Sequence, residues 1–335
     1  TLEYTLERPV PYFLSMLTYG CFFPVNRKFL NEVGDKFGTD NKNLLYNGPY
    51  ILETFQPQYR RELVKNARYW DANKIFINKL IARYNKEATN LAPEMFLRGE
   101  IDAASISSTV LNQWIKDRNR KDMIRPNRTS HYSFFYLFNF DPKFDPEYEP
   151  ENWKLAVNNR NFRKALFHGL DREAAMLTSE PLRPKDRIHN TITPKNFVDF
   201  KGVDYTQIGA LGELSGIDTF DNKLAIKHRD LAIEELKGKV KFPIKVLIPY
   251  NTASLDWANR SQVIEQQMEN LLGKEFIDII IEAQPPTGFL QNIRRDGKFA
   301  MLESNWGPDY ADPETFTDPF VRSGTYNKPH LAIEY

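Results

Sequence analysis

The residues with the greatest chemical potential gather near the end of the chain. There Trp306-Gly307-Pro308-Asp309-Tyr310-Ala311-Asp312-Pro313-Glu314 sets three carboxylates beside two aromatic rings. Paired carboxylates, Asp309 with Asp312 or Glu314, could act as general acid and base. Alternatively, Asp309 only caps a turn in a proline-rich loop. The catalytic reading lacks its companions, because the sequence holds no G-x-S-x-G, no H-E-x-x-H and no nucleophile–base–orienter pattern. The chain is therefore expected not to be an enzyme.

No other cluster of reactive side chains competes with this loop. The five histidines, His131, His168, His189, His228 and His330, are scattered, and no Cys/His spacing resembles a zinc site, so neither metal nor cofactor is expected. The lone cysteine, Cys21, excludes an intrachain disulfide. It follows Leu17-Thr18-Tyr19-Gly20, a faint likeness to a lipoprotein cleavage box. Neither a charged start nor an apolar signal core precedes it, which predicts a buried core thiol.

With 45 basic against 44 acidic residues, the net charge of +1 argues against nucleic acid as the main partner. No stretch approaches the roughly 20 apolar residues that cross a bilayer. A length of 335 residues predicts more than one lobe. Aromatics make up 13% of the chain, enough to line a ligand cleft as well as to fill cores.

The elements that must position these groups alternate between strand and helix. Alternation predicts a strand over 1–8, broken by Pro9 and Pro11, then an aromatic helical stretch over 11–30. Asn47-Gly48-Pro49 signals a turn into a hairpin over 50–55 and 61–64, followed by a strand over 75–84. A helix over 91–97 and a short buried strand at 101–103 complete a first α/β region. Beyond it come an aromatic strand over 132–141 and a helix over 162–170, with Asp171 as the N-cap of the next. Residues 179–222 read as largely irregular. Leu224, Leu231 and Leu236 mark the apolar stripe of a helix over 223–237 that Gly238 ends. A β-α-β-α series follows: strand 244–250, helix 254–272, strand 276–283, helix 288–294.

Several blocks, in order, carry a resemblance. They are Phe23-Pro24-Val25-Asn26 with Gly34-Asp35-Lys36-Phe37-Gly38-Thr39-Asp40, then Tyr46-Asn47-Gly48-Pro49-Tyr50, then 66–74 from Asn66-Ala67-Arg68-Tyr69-Trp70-Asp71. Gly99-Glu100-Ile101-Asp102, Asn161-Phe162-Arg163-Lys164-Ala165-Leu166, Gly169-Leu170-Asp171-Arg172 and the Trp306–Pro313 run complete the set. Over most of its length the chain resembles the oligopeptide-binding proteins of ABC importers, the family 5 extracellular solute-binding proteins. The form of Trp306-Gly307-Pro308-Asp309-Tyr310, and Thr193-Pro194-Lys195-Asn196-Phe197, resemble streptococcal and related Gram-positive lipoproteins most.

The resemblance implies an α/β, two-lobe, periplasmic-binding-protein-like fold of class II (cluster C), hinged and here incomplete at both ends. Residues 1–131 would form the later part of the first lobe and 132–335 most of the second. It implies capture of an oligopeptide and delivery to an ABC permease by a monomer at the cell surface, or in the periplasm of a Gram-negative cell. A lipid anchor absent from this chain would be its membrane contact. Relatives of the same fold bind dipeptides, nickel chelates, haem or sugars, or serve as peptide-signal receptors, and these remain alternatives.

By the same resemblance Asp309 pairs with the peptide's α-ammonium, and Trp306 and Tyr310 wall the first side-chain pockets. The backbone of Gly307, followed by Pro308, meets the peptide main chain. Arg294 is placed toward the peptide's C-terminal side and Asn139 at the lobe crossing, with Phe138 and Phe140. Glu303 stands where some relatives carry a carboxylate-binding arginine. Asn47-Gly48-Pro49 and the 66–71 block are expected to be structural.

Overall fold

The computed structural model describes residues 3–127 and 131–321. Contacts divide the chain into two compact units, Leu17–Asp117 and a larger one made of Thr1–Met16 with Arg118–Tyr335. This division falls at 117/118 and carries Thr1–Met16 into the later unit, whereas the lobe boundary expected from the resemblance lies at 131/132.

In the smaller unit the expected hairpin is present. β1 (Tyr50–Gln56) and β2 (Arg60–Lys65) pair antiparallel, and β3 (Lys79–Arg83) adds to β2. Asn66 ties the hairpin's entry and exit together: its side chain donates to the carbonyl of Gly48 and its backbone N–H to that of Pro49, both at 2.9 Å. Gly48, Pro49 and Asn66 thus shape the hairpin's turn, as expected of them, while Trp70 in the 66–71 block is exposed. Asn26 caps the helix Arg27–Val33 by accepting from the N–H of Phe29.

Four expectations are corrected here. The segment 3–8 is not a strand, because a strand needs a ladder partner and none pairs with it among the described residues. The 11–30 stretch breaks into Phe13–Met16, a turn at Gly20–Phe22 and the start of Arg27–Val33. Pro11 and Pro24 lack the N–H that a continuous helix requires. Residues 101–103 form no strand. Cys21 is exposed rather than a buried core thiol, since its short turn packs under no apolar layer.

The larger unit is built on a β-α-β core. β4 (Ser133–Phe138) precedes a two-residue hairpin of β5 (Asp199–Phe200) and β6 (Val203–Asp204). β7 (Ile244–Asn251) and β8 (Ile277–Gln284) run parallel, joined by the helix Leu255–Leu272. β9 (Met301–Trp306) returns antiparallel to β4. β7 is buried along most of its length, and its near-continuous Ile/Val/Leu run is what a strand covered on both faces requires. Ile264, Met268 and Leu272 pack the connecting helix against the strands. Phe162, Phe276 and Trp153 are almost wholly buried beside them, each ring contributing about 2–3 kcal/mol. Ser254 and Asp171 cap their helices as the sequence predicts.

The helix Asn222–Leu236 buries a different stripe from the expected one. Ala225, Ala232 and Leu236 face inward, while Leu224 and Leu231 stay exposed. Small side chains let this helix lie close against Arg160–Gly169, so the alanines occupy the seam and the leucines its flank. Between 288 and 294 the expected helix is a single wide turn, Leu290–Arg295.

Candidate functional site

The candidate loop leaves the end of β9, and one buried threonine holds it at two points. Trp306, opposite Ser133 in the ladder, donates its indole N–H to the carbonyl of Thr315 at 2.5 Å. The backbone N–H of Asp309 donates to the Thr315 hydroxyl at 3.0 Å. Thr315 and Phe316 begin the next short helix and are buried, with Phe316 edge-on to Phe197. Gly307 lies close to its neighbour: a β-carbon there would stand 2.6 Å from the ring of Tyr132, which would have to shift.

This anchoring leaves the Asp309 side chain exposed, with no cation paired to its carboxylate among the described residues. Its acidic neighbours are engaged. Asp312 accepts from the N–H of Glu314, and Glu314 accepts from the hydroxyl of Tyr12. Tyr310 stacks flat on Tyr12, ring centroids 4.5 Å apart and planes within 9°. Burial first, then the charge of Glu314, raise the Tyr310 phenol well above its ordinary value, so it stays a neutral ring.

Trp306, Gly307, Pro308, Asp309 and Tyr310 therefore share one anchored loop, and two other expected site residues stand apart from it. Arg294 turns back onto β9, donating to the Ser304 hydroxyl and, at 3.1 Å, to the carbonyl of Asn305. Asn139 follows β4 at the end where Phe138 pairs with Met301, about 17 Å along the ladder from Trp306. Its amide is engaged by the fold: it donates to the carbonyls of Gly297 and Phe299, both at 2.8 Å, and accepts from the N–H of Asp141.

Glu303 is buried and held by Arg260, whose guanidinium reaches both carboxylate oxygens at 2.6 and 2.8 Å. Tyr136, opposite it on β4, donates its hydroxyl at 3.2 Å. Burial, followed by the charge of Glu303, pushes that phenol well above its ordinary value and keeps it a donor. The acidic residue at 303 is thus neutralised within the fold.

Sequence reasoning missed Thr315, Tyr12, Ser15, Tyr132 and Arg260. Tyr12 lies 302 residues before its partner Glu314, and no local pattern signals such a contact. Two of the histidines are engaged by the fold: His168 contacts the carbonyl of Thr219 and His228 the side chain of Asn161. Among the described residues, no group of three or more potential ligands could hold a metal.

The architecture is α/β, with this loop leaving the end of the last strand among the described residues. Residues 1–328 match the bacterial extracellular solute-binding proteins, family 5, middle region, and the chain belongs to that family. It is 28% identical to the oligopeptide-binding protein AliB of Streptococcus pneumoniae, over all of this chain and 56% of that protein. It is 30% identical to the oligopeptide-binding protein AmiA of the same species, over all of this chain and 55% of that protein. The chain thus spans about half the length of these relatives. Its fold matches Listeria monocytogenes OppA bound to peptide with a TM-score of 0.72, at 24% identity, covering 97% of this chain and 59% of that one. No helix among the described residues is long and apolar enough to cross a membrane.

Proposed function

We propose that the protein is the extracellular solute-binding subunit of an ABC importer, capturing oligopeptides and delivering them to a permease, with no catalytic step. Asp309 is the anchor for the peptide's α-ammonium. The observation that carries this reading is the contrast within one loop: Asp312 and Glu314 are engaged by the fold, whereas the Asp309 carboxylate has no cation paired to it among the described residues and stands on a backbone pinned by Thr315. A sequence-tolerant binder must grip what all peptides share, and a free carboxylate on a fixed backbone suits the charged amino terminus. Trp306 and Tyr310 wall the neighbouring side-chain pockets, and Gly307 offers its backbone to the peptide main chain. Arg294 serves the C-terminal side only by leaving its contacts on β9, and Asn139 supports the fold from a distance.

Lobe membership follows the family: 1–131 to the first lobe and 132–335 to the second. A lipid anchor outside this chain, of the Gram-positive kind, would hold the protein at the cell surface. With 303 occupied by an acid that Arg260 neutralises, the peptide's carboxylate meets no fixed buried cation there, which suits ligands of variable length.

The test is peptide binding to the full-length protein, read by thermal shift, with free and Nα-acetylated forms of a degenerate library of three to eight residues. Free peptides should raise the melting temperature with concentration. Asp309→Asn should weaken them by about 2–5 kcal/mol. Equal shifts from free and acetylated peptides would overturn the role of Asp309.

A further inference from the structure

We propose that Tyr12 and Ser15 form a strap that positions the 307–312 loop, and thereby Asp309, for the amino terminus of a bound peptide. The inference rests on the peptide-binding reading of Asp309 and adds positioning residues to it. Three contacts of different kinds converge on the residues just after Asp309. The Tyr12 ring lies flat on Tyr310, the Tyr12 hydroxyl donates to Glu314, and the Ser15 hydroxyl accepts from the backbone N–H of Ala311 at 2.9 Å. Arg8 adds an exposed ion pair to Glu314 at 3.7 Å. The strap is itself braced, with Tyr4 edge-on to Phe13 at 5.2 Å.

Asp309 is thus bracketed. Thr315 holds its own N–H, and the strap holds the two residues that follow. A backbone fixed on both sides holds the Cα–Cβ bond of Asp309 in one direction, so its carboxylate is confined to the arc of its own side-chain rotamers before a ligand arrives. Preorganisation of this kind lowers the ordering cost of binding. Hydrogen bonding to Glu314 raises the Tyr12 phenol above its ordinary value, which keeps it a donor across the physiological range.

The experiment uses the full-length protein and the library of three to eight residues with free or acetylated amino termini, comparing wild type, Tyr12→Phe, Tyr12→Ala and Ser15→Ala. The readout is the ratio of affinities for free over acetylated peptides. Tyr12→Ala should lower that ratio about tenfold while leaving acetylated peptides bound as in wild type. Tyr12→Phe, which keeps the stack and loses the hydrogen bond, should lower it several-fold, and it decides the question if Tyr12→Ala does not fold. An unchanged ratio, or equal weakening of both forms, overturns the strap while leaving the Asp309 reading intact. Absence of any preference in the wild type overturns both.

Discussion

Trp306 and Thr315 are joined by a hydrogen bond from indole to backbone carbonyl at 2.5 Å, and the hydroxyl of the same threonine accepts the N–H of Asp309. One buried residue therefore closes the loop at both ends, by its backbone carbonyl at one and its hydroxyl at the other. Thr315→Val keeps the volume but leaves the Asp309 N–H without its acceptor, which should destabilise the protein by about 1–3 kcal/mol. Thr315→Ser retains the hydroxyl and should lose less. Denaturant titration of both variants measures the difference; equal losses would show that the hydroxyl is not what matters.

Gly307 faces the Tyr132 ring so closely that an added methyl forces the ring to move. Tyr132 is about half exposed and can lift away, so Gly307→Ala should cost on the order of 1 kcal/mol rather than abolish folding. In a Tyr132→Ala background the same substitution should be nearly neutral. A double-mutant cycle by thermal melting gives the coupling, and a cost unchanged in that background would contradict the contact.

What could be read from the chain alone divides by range. The parallel core was visible because β7 and β8 are runs of Ile, Val and Leu, and caps such as Asp171 and Ser254 act within three residues of themselves. The 306–310 loop stood out as a motif of types in order. Choices made by a distant neighbour were not legible. Periodicity gives two neighbouring apolar stripes on Asn222–Leu236, and only the close approach of Arg160–Gly169 selects the alanines over the leucines. A single sequence likewise cannot show that Arg260 meets Glu303, or that Tyr12 meets Tyr310 from the other end of the chain.

The Arg260–Glu303 pair is buried on both sides, with side-chain exposures of 15% and 9%. Removing one partner leaves a charge out of water without compensation. Arg260→Met should therefore destabilise the protein by about 3–5 kcal/mol. Adding Glu303→Met and Tyr136→Phe, which removes the hydroxyl left without an acceptor, should recover most of the loss. Chemical denaturation of the single and triple variants checks both values. A single variant as stable as wild type would mean that Glu303 is solvated in solution.

His189 gives the protein an acid-sensitive element. Burial is the main influence lowering its affinity for a proton, and Lys195 and Arg172 act in the same direction, against a hydrogen bond that the ring donates to the backbone of Thr191. Its folded-state value therefore lies below the ordinary histidine value near 6.5 that the unfolded chain retains. As the pH falls through that region, the unfolded chain takes up a proton that the native state refuses, and stability drops. His228, lowered by burial and by Lys164, His168, Lys227 and Arg160, adds to the same trend. Melting temperature measured from pH 7.5 to 5 should decline in the wild type and decline less in His189→Gln, because glutamine has no proton to gain. Identical slopes for the two proteins would show that the imidazole of His189 is solvated well enough to titrate normally in the fold.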